Sequence, residues 1–176
     1  MRDLMENKRF RLIFERMDQV PAPVARHAVP DARSHCLAVG QRAAALAAAN
    51  RLDPALSTLL VNVGLAHDVG KITGMAHPEQ SLEVLEDCGV EDPLFLSLIR
   101  HYDTAERWHA SAMRAEPPLP ASWRRLKRVT DVRLLVLFAV ANCADAPAGW
   151  RRCEEVVWFV DAARAQGLID GLVLDA

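Results

Sequence analysis

Residues 53–71, with the sequence DPALSTLLVNVGLAHDVGK, set the class of the fold. Asp53 followed by Pro54 is typical of a helix start, because an Asp side chain caps free amides and proline fits the first turn. The apolar residues that follow recur three and four positions apart, which indicates a helix with a buried face. Gly70 then predicts a helix end just after the pair His67-Asp68.

The same signals for helix starts and helix ends recur along the chain, and the sequence shows no strand-type alternation of apolar and polar residues. Asp31 is placed to cap one helix, Asp92-Pro93 opens another, and Gly89 closes the helix before that. We therefore predict an all-α, single-domain helical bundle. Besides the helix in residues 53–71, the predicted helices cover residues 3–18, 31–51, 78–88, 93–101, 131–146 and 152–165. The prolines at 21, 23 and 30 predict an extended connection between the first two of these helices, and Pro147 predicts the end of helix 131–146.

Composition favours one domain, spanning residues 1–176, with a core at about 31–146 on which helices 3–18 and 152–165 pack. The chain has 176 residues and 51% hydrophobic content, enough to bury a core without disulfides. Lys and Arg total 21 against 23 for Asp and Glu, so the net charge of -2 creates no global field toward nucleic acid or an anionic membrane.

Several features lead us to expect a cytoplasmic protein. Residues 1–16 interleave charged residues throughout, unlike a secretory signal. The longest apolar run, 134–141, is too short to span a bilayer, so no membrane partner is expected. The cysteines at positions 36, 88, 143 and 153 form no C-x-x-C pair and are interpreted as reduced thiols.

Three histidines occupy positions from which a helix points side chains into the core. Residues three and four apart share a helix face, and each histidine is separated from apolar residues by such steps. The aligned residues are Leu60 and Val63 for His67, Val39, Ala43 and Leu46 for His35, and Leu94 and Leu98 for His101. These histidines are candidate metal ligands.

Asp145 is the most anomalous polar residue, because it ends the apolar helix predicted for 131–146. A buried carboxylate without a partner costs several kcal/mol, so it requires a cation, a hydrogen-bond network or a metal ion. Imidazole and carboxylate ligands without thiolate suit a divalent ion such as Fe, Mn, Zn or Ni.

Taken in order, His35, the string AHDVGK at 66–71 and Asp145 in ADA at 144–146 resemble the H…HD…D signature of the HD-domain metal-dependent phosphohydrolase superfamily. The resemblance covers about residues 31–146. It implies a bundle of the HD-domain type with a metal site between helices. It also implies one or two divalent ions, drawn from Fe, Mn, Zn, Ni or Mg. The implied ligands of the first ion are His35, His67, Asp68 and Asp145, and His77 and His101 occupy the places that bind a second ion in two-metal members, with Asp68 bridging.

His77 stands apart from the other candidates. It lies ten residues after His67, a shorter gap than two-metal members lead us to expect. It also precedes Pro78 at an apparent helix start, where Ser, Thr, Asp or Asn would be the better cap. A poor cap residue at this place indicates another role.

The resemblance predicts hydrolysis of a phosphate ester in a nucleotide or at a nucleic-acid end. Asp68 would orient a metal-activated water, and Lys71 would stabilise the phosphoryl charge. Arg100 is a candidate substrate-binding residue because it flanks His101, as does Tyr102. Two alternatives stay open: a di-iron oxygenase acting on a small polar substrate, and a non-catalytic regulatory module that binds a nucleotide or a metal.

The remaining polar features favour less specific interpretations. The run WRRLKR at 123–128, with Arg133, could contact a nucleic-acid backbone, but a solvated helix face is the better interpretation. His27 and His109 are expected to have no role in the site. Substrate choice is expected to lie in loops at 73–76 and 103–120, and neither the substrate nor the oligomeric state can be read from these residues.

Overall fold

A computed structural model describes residues 2–23, 27–75, 78–146 and 149–175. These ranges contain helices and no strand, which confirms the all-α class. The helices are α1 (Lys8–Arg16), α2 (Ala32–Ala49), α3 (Pro54–Ala66), α4 (Pro78–Asp87), α5 (Pro93–Arg100), α6 (Thr104–Met113), α7 (Pro120–Val129), α8 (Val132–Ala141) and α9 (Glu154–Ala165), with 3-10 turns at Leu4–Glu6, Met17–Gln19, Val69–Thr73 and Trp150–Arg152.

The predicted helix starts are confirmed by their caps. Asp31, Asp53 and Asp92 each accept a hydrogen bond from the backbone amide three residues later, at 2.7, 2.9 and 3.0 Å. These bonds satisfy amides that have no partner within the helix. Helix starts were predictable because a cap is a contact within a few residues of chain.

Helices α2 and α3 touch through their backbones. A Cβ atom added at Gly64 would lie 2.9 Å from both the Cα and the N of Gly40, too close for any side chain. The two helices are antiparallel neighbours, so the first turns of α2 lie beside the last turn of α3. The close crossing therefore brings His35 and His67 to the same end of the bundle.

Helix α8 passes through the centre of the bundle. All of its residues except Arg133 are buried, as expected for a helix that is apolar on every side. The ring of Phe138 lies 5.2 Å, centroid to centroid, from that of His67. The hydrophobic core continues from Leu4 to Leu174, so both ends of the chain pack onto it.

Helices α6, α7 and α9 meet through aromatic side chains. The Trp123 ring lies 4.7 Å from that of Trp108 and 5.7 Å from that of Phe159. Burying Trp123 turns the charged side of α7 outward, and its basic residues are exposed there, as expected of a solvated face. These residues are Arg124, Arg125, Lys127 and Arg128.

Several predicted boundaries were wrong. The N-terminal segment 3–18 is a helix flanked by two 3-10 turns, α2 ends at Ala49, and residues 104–113 of the expected loop form α6. Helix α8 ends at Ala141, so Asp145 lies in the turn that follows instead of in the helix. The predicted stop at Pro147 lies outside the described residues.

Gly70 does not end α3 as predicted. The helix ends at Ala66, His67 caps it, and the chain continues as a 3-10 turn that closes at Gly74, whose φ is 84°. Gly70 is required for a different reason: its Cβ would lie 2.4 Å from the backbone nitrogen of Ser81. The glycine therefore permits the close approach of α4.

Nowhere in the described ranges does a helix reach the combined length and hydrophobicity that a membrane crossing requires. The division into a single domain with a core at 31–146 stays a prediction.

Candidate metal centre

Three helix ends converge at one place in the bundle. His35 lies in the first turns of α2, the pair His67-Asp68 directly follows α3, and Asp145 lies in the turn after α8. Their exposed fractions are 2% for His35, 1% for His67, 4% for Asp68 and 8% for Asp145. Such buried polar side chains require defined partners.

The orientation of His67 is set by its own helix. Its Nδ1 lies 3.0 Å from the carbonyl oxygen of Gly64, which can only accept a hydrogen bond. Nδ1 therefore carries a proton and donates it. In the neutral ring, the lone pair is then on Nε2, which points away from α3 and toward His35.

His35 is oriented in the same manner by a carboxylate. Its Nδ1 lies 2.9 Å from Oδ1 of Asp145, so Nδ1 is the donor and Nε2 carries the lone pair in the neutral ring. Burial alone would raise the pKa of Asp145, but the hydrogen bonds and charges of His35 and His27 hold it below its ordinary value. Asp145 is thus an ionised acceptor at neutral pH.

The two Nε2 atoms face each other and a second carboxylate. They are 3.2 Å apart, and Oδ2 of Asp68 lies 3.4 Å from Nε2 of His67 and 3.9 Å from that of His35. Lone pairs and a carboxylate at these distances repel unless a metal ion or an additional proton lies between them. This donor set fits a divalent cation bound by nitrogen and oxygen.

Asp68 stays ionised despite its burial. Burial raises its pKa, but His67 and the ammonium group of Lys71 lower it by more, so the net shift is downward. Nζ of Lys71 lies 2.5 Å from Oδ2 of Asp68, and the Lys71 side chain is 25% exposed. Lys71 thus links the buried cluster to solvent.

Four of the predicted ligands fall into two groups that share His35, one of which also contains His27. Within the described residues, His35, His67 and Asp68 place ligand atoms within 4.8 Å of one another, and so do His27, His35 and Asp145. Asp145 lies on the Nδ1 side of the His35 ring, opposite the side that faces His67. The structure brings the four residues together around one imidazole, and their binding of a metal stays a prediction.

Two residues of this cluster were missed. His27 was expected to have no role, yet its Nδ1 lies 3.0 Å from Oδ2 of Asp145. Oδ1 of Asn142 lies 3.1 Å from Nε2 of His35. Asn142 carried the same signal as Asp145, a polar residue at the end of an apolar helix. His27 carried none, because its contact depends on chain 118 residues away.

The remaining predicted residues have different positions relative to the cluster. His101 caps the end of α5, is partly exposed and belongs to neither group found among the described residues. Arg100 is exposed and is not among the residues that line the cavity beside the cluster, whereas Tyr102 is. His77 lies outside the described residues. His109 contacts the ring of Trp158, at 6.0 Å between centroids, away from the cluster.

The cluster opens into a cavity of about 630 Å³. Besides the histidines, its wall includes two cationic residues, Lys71 and Arg152, and four acidic ones, Asp68, Asp103, Glu106 and Glu155. Burial, followed by the charge of Asp68, raises the pKa of Tyr102, so its phenol keeps its proton. The cavity can therefore receive a molecule that carries both an anionic group and hydrogen-bonding groups.

Comparison with known proteins identifies one similarity. A family model described as HD domain matches residues 33–139, more than half of the chain. The match contains His35, His67 and Asp68 and ends before Asn142 and Asp145. No curated protein and no solved structure shows a significant match to the chain.

Proposed function

The chain belongs to the HD-domain family, whose members are generally metal-dependent phosphohydrolases, and on this premise we propose that it hydrolyses a phosphate ester of a nucleotide or of a nucleic-acid end. One observation carries the proposal: the Nε2 atoms of His35 and His67 face each other and Asp68 at the base of a cavity. Such a donor set requires a positive charge at its centre.

The residues present fit a divalent cation, held by Nε2 of His35, Nε2 of His67 and Oδ2 of Asp68. Such an ion, when bound, supplies an activated water at neutral pH and neutralises charge on phosphoryl oxygens. Asp145 as a direct ligand stays a prediction. A second ion bound by His77 and His101 stays a prediction: His77 lies outside the described residues, and His101 belongs to neither ligand group found among them.

Lys71 and Tyr102 perform complementary tasks in this proposal. The ammonium group of Lys71 lines the cavity and lies beside Asp68, so it can contact a phosphoryl oxygen and stabilise the charge that develops there. Tyr102 keeps its phenol proton and can donate a hydrogen bond from the cavity wall. A substrate-binding role for Arg100 stays a prediction. Arg100 is exposed and is not among the residues that line the cavity.

Cavity size and wall chemistry support a nucleotide. The volume of about 630 Å³ lies within the range of about 300–1,000 Å³ that is usual for small-molecule sites. The carboxylates of Asp103, Glu106 and Glu155 can accept hydrogen bonds from the hydroxyl and amino groups that a nucleoside carries. Lys71 and Arg152 provide the cationic side chains for its phosphate.

The test is phosphate release from nucleotides and from nucleic acids with a terminal phosphate, measured with and without added Mn²⁺. We expect turnover to require the metal and to fall about 100-fold or more in Asp68→Asn, the scale of losing one electrostatic group at a reaction centre. Asp87→Asn is the matched control, since Asp87 pairs with Arg9 on the surface. Circular dichroism checks that each variant is folded.

Three outcomes would contradict the proposal. Folded, metal-loaded protein that releases no phosphate from any of these compounds would exclude hydrolysis of this class. Tight nucleotide binding without release would instead favour a regulatory module. Two iron ions per chain with oxygen uptake on a small polar substrate would favour the oxygenase.

A further inference from the structure

Helix α7 presents four cations to solvent, at a distance from the residues that the proposed site uses. We propose that this cationic face, formed by Arg124, Arg125, Lys127 and Arg128, binds the phosphate backbone of a nucleic-acid strand. The inference deepens the proposed function and rests on it in one respect, that the bound strand carries the phosphate ester which the cavity receives. It narrows the substrate from a free nucleotide to the end of a nucleic acid.

The cationic face differs from an ordinary solvated surface in its composition. Residues 120–130 contain these four cations and no acidic residue, in a chain whose net charge is -2. Surfaces that only need to be soluble intersperse both signs of charge. All four side chains belong to exposed residues. Every ion pair of a Lys or Arg found among the described residues lies elsewhere, so none of the four has a carboxylate partner there.

Helix geometry gathers these cations on one side of α7. Arg124 precedes Lys127 by three residues and Arg128 by four, so the three side chains are neighbours on the helix surface. Trp123 and Leu126, each 4% exposed, occupy the side that faces the protein. Like charges at these spacings repel and destabilise a helix. The arrangement therefore costs stability and gives none back through packing.

The helix dipole accounts for only part of this arrangement. Cations are favoured in the last turn of a helix, where Lys127 and Arg128 lie, but Arg124 precedes that turn. The nearest acidic residues along the chain, Glu116 and Asp131, lie outside α7, and Asp131 caps α8. No ion pair within the described residues relieves the repulsion, whereas an anionic ligand on the cationic face would relieve it.

The position of α7 connects the cationic face with the cavity. Trp123 packs on Trp108 of α6 and Phe159 of α9, at 4.7 and 5.7 Å between ring centroids. The same two helices line the cavity through Glu106 and Val156, two and three residues before those aromatic residues. At a rise of about 1.5 Å per residue, α7 is anchored within about one helical turn of the cavity wall. A strand bound along α7 is therefore held beside the cavity.

The dimensions of the cationic face fit a nucleic-acid backbone. Helix α7 has 10 residues and is therefore about 15 Å long. One strand of a duplex carries a phosphate about every 3.4 Å along the axis, so the helix spans roughly four phosphates. Four cations thus meet a similar number of anionic groups. Backbone contacts of this kind supply affinity without reading the sequence of the strand.

An anionic membrane is a less suitable ligand for α7. Helices that lie on a membrane insert their apolar side into the lipid. In α7 that side, formed by Trp123 and Leu126, is already buried against the protein. Only electrostatic attraction would remain, which favours a polyanion that follows the helix over a lipid surface.

Binding of a fluorescently labelled, single-stranded 20-nucleotide DNA to the full chain, followed by anisotropy, tests the proposal. For about four phosphate contacts we expect the affinity to fall about 50-fold between 50 and 200 mM salt. Arg124→Gln/Arg128→Gln should weaken binding about tenfold or more at 50 mM salt and reduce that salt dependence to about sevenfold. Circular dichroism checks that the variant is folded.

Arg11→Gln/Arg16→Gln is the matched control. It removes two exposed cations from α1 and changes the net charge by the same amount, but it leaves the cationic face intact. Strand affinity and its salt dependence should stay at the wild-type values. Equal losses in the two double variants would overturn the proposal, because net charge and not this face would then govern binding.

Phosphate release provides an independent readout of the same variant. Arg124→Gln/Arg128→Gln should raise KM for a 20-nucleotide strand with a terminal phosphate about tenfold and leave kcat unchanged, because the backbone contacts are the same before and during the reaction. KM for a mononucleotide should not change. An equal rise in KM for both compounds would overturn the proposal, since it would place the effect in the cavity.

The remaining outcomes separate this proposal from the proposed function. Turnover of a mononucleotide by a protein that binds no strand overturns the role of the cationic face and leaves phosphate-ester hydrolysis intact. Strand binding that depends on the cationic face, in folded and metal-loaded protein that releases no phosphate, supports the face and contradicts the proposed function. Binding of phosphatidylserine vesicles through this face, without strand binding, overturns the proposal in favour of a membrane.

Discussion

The segment after α3 and the segment after α8 both follow a buried helix and both carry site residues, yet they are held in different ways. After α3, the hydroxyl of Ser81 donates to the carbonyl of His67 at 2.7 Å and accepts from the amide of Gly70 at 3.0 Å. These contacts span 14 and 11 residues. After α8, the side chain of Asp145 bonds to His27 and His35, 118 and 110 residues away.

This difference separates two kinds of support for a site. The α3 segment is held by the close approach of α4 at Gly70 and by the two hydrogen bonds of Ser81, so its geometry depends on local contacts with the next helix. The α8 segment depends on side chains from the start of the chain and so on completion of the whole bundle. Substitutions in the α3 segment should therefore change mainly the free energy of unfolding, and substitutions in the α8 segment should change mainly how His27 and His35 are held.

The largest effect should come from Gly70→Ala. Its Cβ would lie 2.4 Å from the backbone nitrogen of Ser81, so α4 must move. Overpacking of this kind costs about 1–3 kcal/mol or more, and we expect the top of that range because the close atom belongs to the backbone. Thermal or urea unfolding of the metal-free protein measures it.

Gly74→Ala is the matched control for Gly70→Ala. Gly74 has a φ of 84° and no atom within 4 Å of an added Cβ, so only backbone strain, about 1–2 kcal/mol, opposes the substitution. Equal losses at the two glycines would show that close packing of α4 does not support the α3 segment.

Ser81→Ala should have an intermediate effect. Ser81 is 2% exposed, and its loss leaves the amide of Gly70 and the carbonyl of His67 without this partner. Leaving buried groups unpaired costs about 1–3 kcal/mol in the free energy of unfolding. Ser57→Ala, which removes a single part-buried bond to Leu52, should cost less. A reversed order of the two losses would contradict the comparison.

The smallest effect should be a change in the acid sensitivity of the metal-free protein. The pKa of Asp145 is lowered in the fold, so its contribution to stability is present above its unfolded pKa and is lost as the pH falls through that value and below. Asp145→Asn, with no such group to protonate, should lose less stability than the wild type between pH 5 and strongly acidic pH.

Urea unfolding at several pH values measures this difference, and Asp87→Asn on the surface serves as the control. Parallel pH profiles for the wild type and Asp145→Asn would show that the two histidine contacts of Asp145 do not stabilise its carboxylate. The backbone bond from the Ala28 amide to the Asp145 carbonyl would then be the better candidate for holding the α8 segment in place.

Helix starts and inward-facing histidines were predictable because their causes are local. A capping Asp contacts an amide three residues away, and the spacing of His35 and His67 from apolar neighbours is a property of a single helix. Helix α6 was predicted as a loop because its apolar stripe is weak: its buried residues are Thr104 and Ala105. It forms where it packs against α9.

The sequence by itself determined the all-α class, the helix caps and the convergence of His35, His67 and Asp68, since short-range spacing and the HDVGK string carry that information. Only the tertiary structure decided which nitrogen of His35 faces His67, that Asn142 shares this side, and that His27 and Asp145 hold the other. The contacts of Asn142 and Asp145 with His35, and of His27 with Asp145, join residues more than 100 positions apart. The periodicity of one helix does not specify where a turn after another helix places its side chains.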